Sequence, residues 1–317
     1  MSLMEPSKTY KPFQYPWAME YAGEHEKIHW GEWELNLQDD VNDWKMGKVT
    51  DSEKNHVTQI LRLFTQSDVA VANNYCELFI PKFTNNELRN MLLSFANREG
   101  THQRAYALLN DTLVFDDSEY TAFLGYKEMV NKIEFMTDND PSTLSGLGKA
   151  LARSAINEGM SLFSAFVMLL NYQRFGKFKG MCEVVEWSIR DETMHVEGMT
   201  KLFRTFCDEH PKIVNDEFKQ DIYSMVRRAV KLEDKVIDLA YKMGDIEGLS
   251  AEEVKQYIRY IADRRLIQLG LKPNYKVKDN PLPWLEWIVS GDSFKNFFEG
   301  VVTDYSKNGL VGDDWGW

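Results

Sequence analysis

The sequence predicts an all-α protein, and three observations support this fold class. Apolar residues recur at spacings of three and four along the long segments, runs with the alternation of a strand are sparse, and breaker clusters separate the helical segments. The breaker clusters are residues 80–85, 139–146, 174–180, 208–212, 244–253 and 271–284. None of them resembles an interdomain linker, so we expect a single domain over residues 1–317.

The composition excludes several classes of function. The net charge of -12 argues against a nucleic-acid partner, because binding to phosphates requires clustered Lys and Arg. No apolar run approaches the roughly 20 residues of a membrane span, and the start of the chain lacks an apolar signal region. Cys76, Cys182 and Cys207 have the spacing of neither a disulfide framework nor a thiolate metal site. We therefore expect a cytoplasmic protein that binds neither nucleic acid nor membranes.

The first two long helices each have an apolar stripe that includes acidic or histidine side chains. The first stripe covers residues 57–64 and leads directly to Asp68. The second covers residues 88–109 and includes Glu99 and His102. Because residues three and four apart share a helix face, these polar groups are predicted to point toward the core.

The next two helices repeat this pattern. The third stripe covers residues 147–169 and is apolar except at Glu158. The fourth covers residues 181–202 and includes Glu192 and His195. A buried carboxylate without a partner costs several kcal/mol, and four that converge repel one another, so something must neutralise them.

Four carboxylates and two imidazoles suit two divalent cations, since four negative charges balance four positive ones and the donors suit Fe or Mn. Two helices with Glu-x-x-His and two with a single acid are typical of ferritin-like helical bundles with a dimetal-carboxylate site in a four-helix core. We therefore predict that fold and that site. The alternative is a set of ion pairs in the core, without metal. The predicted ligands are Asp68, Glu99, His102, Glu158, Glu192 and His195.

Two further Glu-x-x-His pairs have simpler explanations. Glu53 follows Thr50 by three residues at a helix start, so a capping box explains it, and His56 then needs no metal. The pair of Glu26 and His29 lies beside a glycine without a long apolar stripe, so we interpret His29 as structural or exposed.

Tyr106 lies one turn beyond His102 on the same predicted face. A phenol close to an oxygen-activating dimetal centre is a natural one-electron donor. The alternative is a core tyrosine with a hydrogen-bonded hydroxyl.

These residues resemble a known family, the small (β) subunit of class I ribonucleotide reductase. The resemblance covers most of the chain and includes Asp68, where most other ferritin-like oxidases have Glu. The matching motifs are HWGEWELNLQDDVNDW, REGTHQRAY, NEGMSLFSAF, IRDETMH, NPLPWLEW, NFFEGVVTDYSK and the final GDDWGW.

The resemblance implies a homodimer whose metal centre reacts with oxygen or a reduced oxygen species to create a stable oxidant. That oxidant then removes an electron through aromatic residues and leaves a thiyl radical in a separate catalytic subunit, which reduces ribonucleotides. Trp30 resembles the transfer-path tryptophan, Asp191 the carboxylate that links it to His102, and Tyr305 a relay tyrosine. Core packing, a helix-surface acid and a frayed terminus are the respective alternatives.

The last residues, 306–317, are polar and contain glycines and two tryptophans. The resemblance implies that this tail docks on the catalytic subunit; the alternative is a merely mobile end. It also implies that Asp68, Glu99 and His102 bind one metal and Glu158, Glu192 and His195 the other.

Two questions stay open in the sequence. The pocket around a stable tyrosyl radical is usually apolar in this family; Leu162 and Phe166 fit that pattern, but Ser188 is polar, so either Tyr106 or the metal pair stores the oxidant. The ligand types do not separate diiron from dimanganese. Alternative functions are a ferritin-like dimetal oxidase or hydroxylase with its own substrate, a ferritin-type iron binder and a structural bundle.

Overall fold

The computed structural model describes residues 2–113 and 115–288, with only the backbone for residues 287 and 288, and these ranges contain no β-strand. The all-α prediction is therefore confirmed. Tyr305 and the tail at 306–317 lie outside the described residues. The α-helices are α1 (Pro16–Lys27), α2 (Gln38–Lys45), α3 (Asp51–Asn73), α4 (Ile80–Lys82), α5 (Asn86–Thr112), α6 (Glu119–Ala122), α7 (Lys127–Thr137), α8 (Leu144–Ile156), α9 (Phe163–Leu170), α10 (Lys179–Glu209), α11 (Asp216–Ala240), α12 (Ala251–Gln268) and α13 (Leu285–Ile288).

Shorter helical segments join some of these helices. Two are π-helical, Asn74–Phe79 after α3 and Asn157–Ser161 after α8. The 3-10 segments are Glu32–Glu34, Phe123–Gly125, Asn171–Phe175 and Pro211–Ile213. Each predicted breaker cluster lies at or next to the end of a helix.

Side-chain caps explain where several helices begin. Thr50 and Glu53 form the predicted capping box at the start of α3, and this interpretation of Glu53 is confirmed. Asn85 accepts hydrogen bonds from the first backbone N–H groups of α5, and Thr143 does the same for α8. Three helices of the bundle thus begin at residues that the sequence specifies locally.

Helix α10 is anchored at its N-terminus by two acids of α2. Asp40 accepts hydrogen bonds from the backbone N–H groups of Gly180 and Met181, each at 2.8 Å. Asp43 accepts one from Phe178, also at 2.8 Å. These acids satisfy N–H groups that the helix itself leaves unpaired. They therefore hold in place the helix with two predicted metal ligands.

The third predicted stripe is not one continuous α-helix, because the Asn157–Ser161 segment interrupts it. Here the N–H of Leu162 donates to the carbonyl of Asn157 at 3.2 Å, which is an i to i+5 bond. Gly159 lies in the segment because a Cβ there would meet Arg265 at 2.6 Å. The close approach of α12 thus requires glycine where the helix widens.

Four helical units form the centre of the bundle: α3, α5, α10, and α8 with α9. Helix α3 packs on α5, α5 on α10, and α10 on α8 and α9. Helix α1 lies across α5 and α10. One continuous cluster of buried apolar side chains extends from Leu3 to Leu285. Within the described ranges, no helix is long and apolar enough to cross a membrane.

Candidate metal centre

The predicted ligands meet in the interior of the four-helix core. They come from α3, α5, the π-helical segment Asn157–Ser161 and α10, and each is at most 1% exposed. The ligands form two groups, and within each group the ligand atoms lie within 4.8 Å of one another. Glu99 belongs to both groups. The first group is Glu99, Glu158, Glu192 and His195; the second is Asp68, Glu99 and His102.

Two glutamates lie between the two histidines. One carboxylate oxygen of Glu99 is 3.0 Å from Nδ1 of His195, and the other is 3.7 Å from Nδ1 of His102. Glu192 is similarly placed, with one oxygen 3.4 Å from Nδ1 of His195 and the other 3.4 Å from Nδ1 of His102. Each glutamate thus presents one oxygen to each half of the cluster, as a bridging carboxylate does.

The donor atoms fit metal ions better than they fit one another. Several of them are buried and have no hydrogen-bond partner in the described part of the chain, although buried polar groups are almost always paired. The ion pairs with the two histidines leave these atoms without a hydrogen bond, whereas two divalent cations would use their lone pairs. The atoms without a hydrogen bond are Oδ2 of Asp68, both oxygens of Glu99, both oxygens of Glu192 and Nδ1 of His195.

Without bound metal, the pKa values of the cluster's side chains are shifted from their ordinary values. Burial raises the pKa of Asp68 well above its ordinary value and also raises that of Glu158. Burial acts to raise the pKa of Glu99 as well, but the nearby imidazoles of His102 and His195 outweigh it and lower the pKa. Burial acts to lower the pKa of His102 and His195, yet the surrounding carboxylates raise both. Bound cations would take over the neutralisation that protons otherwise supply.

Glu158 differs from the other acids because hydroxyl groups occupy both of its oxygens. The phenol of Tyr75 donates to Oε2 at 2.6 Å, and the hydroxyl of Ser154 donates to Oε1. Tyr75 is fully buried and packs edge-on against His195. These two donors hold Glu158 at the edge of the cluster, with Oε2 3.3 Å from Nδ1 of His195.

A hydrogen-bonded chain joins Trp30 to His102. The indole N–H of Trp30 donates to Oδ2 of Asp191 at 2.7 Å, and Nε2 of His102 is 3.1 Å from the same oxygen. Trp30 is 2% exposed and stacks on His102, while Asp191 is fully buried. Asp191 is therefore not a surface acid, and Trp30 is a buried residue that donates a hydrogen bond to it.

Arg98 holds the Asp191 carboxylate from its other side. Its guanidinium donates to Oδ1 of Asp191 at 2.7 Å and to the carbonyls of Ile28 and His25. Burial acts to raise the pKa of Asp191, but the hydrogen bond from His102 and the charges of His102 and Arg98 outweigh it, so that the pKa lies below its ordinary value. Asp191 is thus a buried anion between two cationic groups and an indole.

Tyr106 is fully buried beside the cluster. Its hydroxyl donates to Oγ of Ser188 at 3.1 Å, so the polar residue noted in the sequence contacts the phenol directly. Its ring packs edge-on against Phe64 at 4.3 Å between centroids, and Phe64 in turn packs on Phe166. Burial raises the pKa of Tyr106 well above its ordinary value, so the phenol is protonated.

The other two histidines of the Glu-x-x-His pairs lie away from this cluster. His29 is exposed, as one of the two interpretations predicted. His56 is buried and contacts the hydroxyl of Tyr172 at 3.0 Å through Nδ1. Neither belongs to the groups of possible metal-binding residues.

Three neighbours of the cluster were not identified from the sequence: His25, Tyr75 and Arg98. His25 lies on α1, and its Nε2 is 3.2 Å from Nε2 of His195. A weak signal existed, because Ala18, Ala22 and His25 form one buried line on α1. Arg98 resembles an ordinary surface arginine in the sequence, and only its 2% exposure reveals its position.

Known proteins match this chain over most of its length. The family model for the ribonucleotide reductase small chain matches residues 7–281. The probable ribonucleoside-diphosphate reductase small subunit of invertebrate iridescent virus 3 is 41% identical, over 100% of this chain and 89% of its own length. The subunit beta of the enzyme from Chlamydia pneumoniae is 29% identical, over 94% and 90%.

Solved structures show the same fold. The ribonucleotide reductase R2 subunit from Clostridium botulinum superposes with a TM-score of 0.84 at 21% identity, over 91% of this chain and 94% of its own. The dimanganese(II) NrdF of Streptococcus sanguinis superposes with a TM-score of 0.78 at 19% identity, over 90% and 99%. At these identities the likeness supports the fold alone.

Proposed function

Because this chain belongs to the ribonucleotide reductase small-chain family, we propose that its buried carboxylate–histidine cluster holds the dimetal centre of the radical-generating subunit. The fold is the ferritin-like helical bundle, and the partner is the catalytic subunit that reduces ribonucleotides. The observation that supports the site best is the pair of glutamates, Glu99 and Glu192, each with one oxygen toward each histidine.

The ligands divide between two metal positions. Asp68, Glu99 and His102 would hold the first metal, and Glu158, Glu192 and His195 would hold the second, with one or more carboxylates shared between them. The metals are iron or manganese, which both suit this mixture of oxygen and nitrogen donors. When bound and oxidised by oxygen or a reduced oxygen species, the centre supplies the one-electron oxidant that the reaction requires.

The protein supplies the route by which an electron reaches that centre. Trp30 leads to His102 through Asp191, and the anionic carboxylate can hold the indole proton while the ring loses an electron. Tyr106, which is buried beside the cluster, is the phenol that would donate the first electron. We assign Tyr305 as the relay tyrosine that continues the route toward the catalytic subunit.

Family membership supports further assignments that we add to the proposal. The chain forms one domain that dimerises with a second copy, and its tail, residues 306–317, docks on the catalytic subunit. The protein is cytoplasmic, which agrees with free thiols at Cys76, Cys182 and Cys207. A sizing measurement checks the dimer, and a chain that ends at residue 305 should dimerise normally but fail to activate the catalytic subunit.

Metal stoichiometry tests the site itself. The protein with its native sequence should bind two metals per chain, Glu99→Ala should bind fewer because it removes a bridge, and His195→Ala should lose the second metal. Glu233→Gln is the matched control, since Glu233 is a carboxylate of equal burial that pairs with Lys132 away from the cluster. Two metals per chain in both alanine variants would refute the ligand assignment.

Nucleotide reduction with the catalytic subunit tests the function. The alternative is a self-contained oxidase. Such an enzyme would turn over without the catalytic subunit, and it would not need Trp30 for electron transfer. Turnover that requires the catalytic subunit therefore supports the proposal, and oxidation of a substrate by this chain alone would contradict it.

A further inference from the structure

We propose that His25 is the residue that orients His195 and sets which of its ring nitrogens is protonated, and that His25 thereby determines the affinity of the second metal position. This inference rests on the proposed metal site, because it assigns a role to a residue behind one of the ligands. His25 itself contacts no proposed ligand other than His195 among its hydrogen bonds.

A continuous series of hydrogen bonds leads from His195 to the protein surface. Nε2 of His195 is 3.2 Å from Nε2 of His25, and Nδ1 of His25 is 2.8 Å from Oγ of Ser94. The Ser94 hydroxyl donates to Oε1 of Glu26 at 2.7 Å. His25 is fully buried, whereas Glu26 is exposed, so the series crosses the layer between the cluster and solvent.

The direction of each bond in this series follows from the first. Nδ1 of His195 faces Glu99 at 3.0 Å and Glu158 at 3.3 Å, so Nδ1 is the nitrogen that offers its lone pair to a metal. Nε2 of His195 must then have the proton and donate a hydrogen bond to Nε2 of His25. His25 accepts there, so its own proton is on Nδ1 and is donated to Ser94. The series ends at a carboxylate, which can only accept.

The packing of the two rings agrees with a dedicated contact. Phe95 lies against both imidazoles, with centroid distances of 4.5 Å to His195 and 5.1 Å to His25. Helix α1 is placed against α5 and α10, so the same helix contact that buries His25 brings it to His195. Neither ring can rotate freely between its neighbours.

The two metal-binding histidines therefore have different partners on their outer nitrogens. His102 contacts the Asp191 carboxylate, and Arg98 holds that carboxylate in place. His195 contacts an imidazole that accepts a hydrogen bond without a negative charge. Since a carboxylate partner makes an imidazole a stronger donor to metal, the position held by His102 binds metal more tightly than the position held by His195.

The experiment measures binding of Mn²⁺ to the full chain without oxygen, after removal of metal, by equilibrium dialysis with elemental analysis. His25→Leu removes the acceptor, and we expect it to weaken the second binding event by about 10- to 100-fold while the first stays within about threefold. His25→Gln keeps an acceptor and a donor in nearly the same places and should retain most of the native affinity. His56→Leu is the matched control, because it removes another fully buried histidine distant from the cluster.

The results separate this inference from the proposed site. If the native sequence does not bind two Mn²⁺, the metal site itself is wrong. If it does, and His25→Leu binds both ions as tightly as the native protein, the role of His25 is refuted. Equal losses in the Leu and Gln variants would also refute it, since they would reflect packing alone. The melting temperature of each metal-free variant reports its folding. Should His25→Leu not fold, the test is the second binding event in the other two variants, which should be weakened in Ser94→Ala and nearly native in His25→Gln.

Ser94→Ala removes the next bond of the series and should weaken the second binding event less than His25→Leu does. The Mn²⁺ electron paramagnetic resonance spectrum gives a second readout. We expect the signal of a coupled Mn²⁺ pair in the native protein and in His25→Gln, and the signal of a single Mn²⁺ in His25→Leu at one to two equivalents. A coupled-pair signal of native intensity in His25→Leu would contradict the inference.

Discussion

The indole nitrogen of Trp30 lies 2.7 Å from the carboxylate of Asp191 in the interior of the bundle. The two residues are 161 positions apart in the chain, and α10 and the segment after α1 meet to form this bond. It has the geometry of a charge-assisted hydrogen bond, in which an N–H donates to an anion. Loss of the N–H therefore leaves the carboxylate with one donor fewer.

Trp30→Phe should stop nucleotide reduction without removing the metals. Phenylalanine fills most of the same space but has no N–H, so the link to Asp191 is broken. We expect two metals per chain, normal oxidation of the centre by oxygen, and nucleotide reduction near background when the catalytic subunit is added.

Trp187→Phe is the matched control for that variant. Trp187 packs against Trp30 at 5.1 Å between ring centroids but is not part of the bond to Asp191. It should retain most of the activity. Equal activity in the two variants would show that Trp30 is a packing residue.

Arg98→Met should destabilise the metal-free protein by about 3–5 kcal/mol, because it leaves the buried Asp191 anion without its guanidinium partner. The measurement is the free energy of unfolding from denaturant titration. Arg104→Met, on the same helix, removes an arginine whose side chain is 53% exposed and which pairs with Glu32. It should cost at most about 1 kcal/mol. Similar costs for both would mean that Asp191 does not depend on Arg98.

Tyr106→Phe addresses where the oxidant is stored. If the phenol stores it, the variant lacks a tyrosyl signal in electron paramagnetic resonance after aerobic activation and reduces nucleotides poorly, and this is the result we expect. Ser188→Ala should keep the signal but change its shape, because it removes the hydrogen bond to the phenol. Full nucleotide reduction by Tyr106→Phe would assign storage to the metal pair instead.

Burial of His56 should make the fold less stable in mild acid. Burial lowers the pKa of His56 from 6.5 to about 3, so between these values the unfolded chain binds a proton that the folded chain does not. Stability therefore falls as pH falls, and this one group accounts for about 2 kcal/mol between pH 7 and pH 5.

Replacement of His56 by glutamine should remove that share of the pH dependence. The free energy of unfolding of the metal-free protein, measured at both pH values, should fall by about 2 kcal/mol less in His56→Gln than in the native chain. His29→Gln, which changes an exposed histidine, is the matched control. The same fall in all three proteins would show that His56 is not the cause.

The apolar stripes predict most of the site because helix periodicity is a local property. Asp68, Glu99 and Glu192 interrupt stripes that must face the core, so their burial follows from sequence spacing alone. Which helices contact one another is a tertiary property. The sequence therefore could not show that Glu99 and Glu192 each lie between both histidines.

The residues that sequence reasoning missed depend on such tertiary contacts. His25 is on a short helix without a long stripe, and it becomes part of the site only because α1 crosses α5 and α10. Arg98 adjoins a ligand in the sequence, but its partner Asp191 is on α10, 93 positions away. The π-helical segment at Asn157–Ser161 is likewise set by packing, since Gly159 contacts α12 there.

The π-helical segment Asn157–Ser161 also sets how α8 is rotated about its axis relative to α9. A π turn contains one residue more than the α turn it replaces, and each residue of an α-helix advances the side-chain direction by about 100°. Deletion of Asn157 would restore a regular helix and rotate α8 by that angle relative to α9. The face with Leu147 and Leu151 would then turn away from the core while Phe166 stayed in it. We therefore expect a deletion in Asn157–Ser161 to disrupt the core, although the segment contains only one of the proposed ligands.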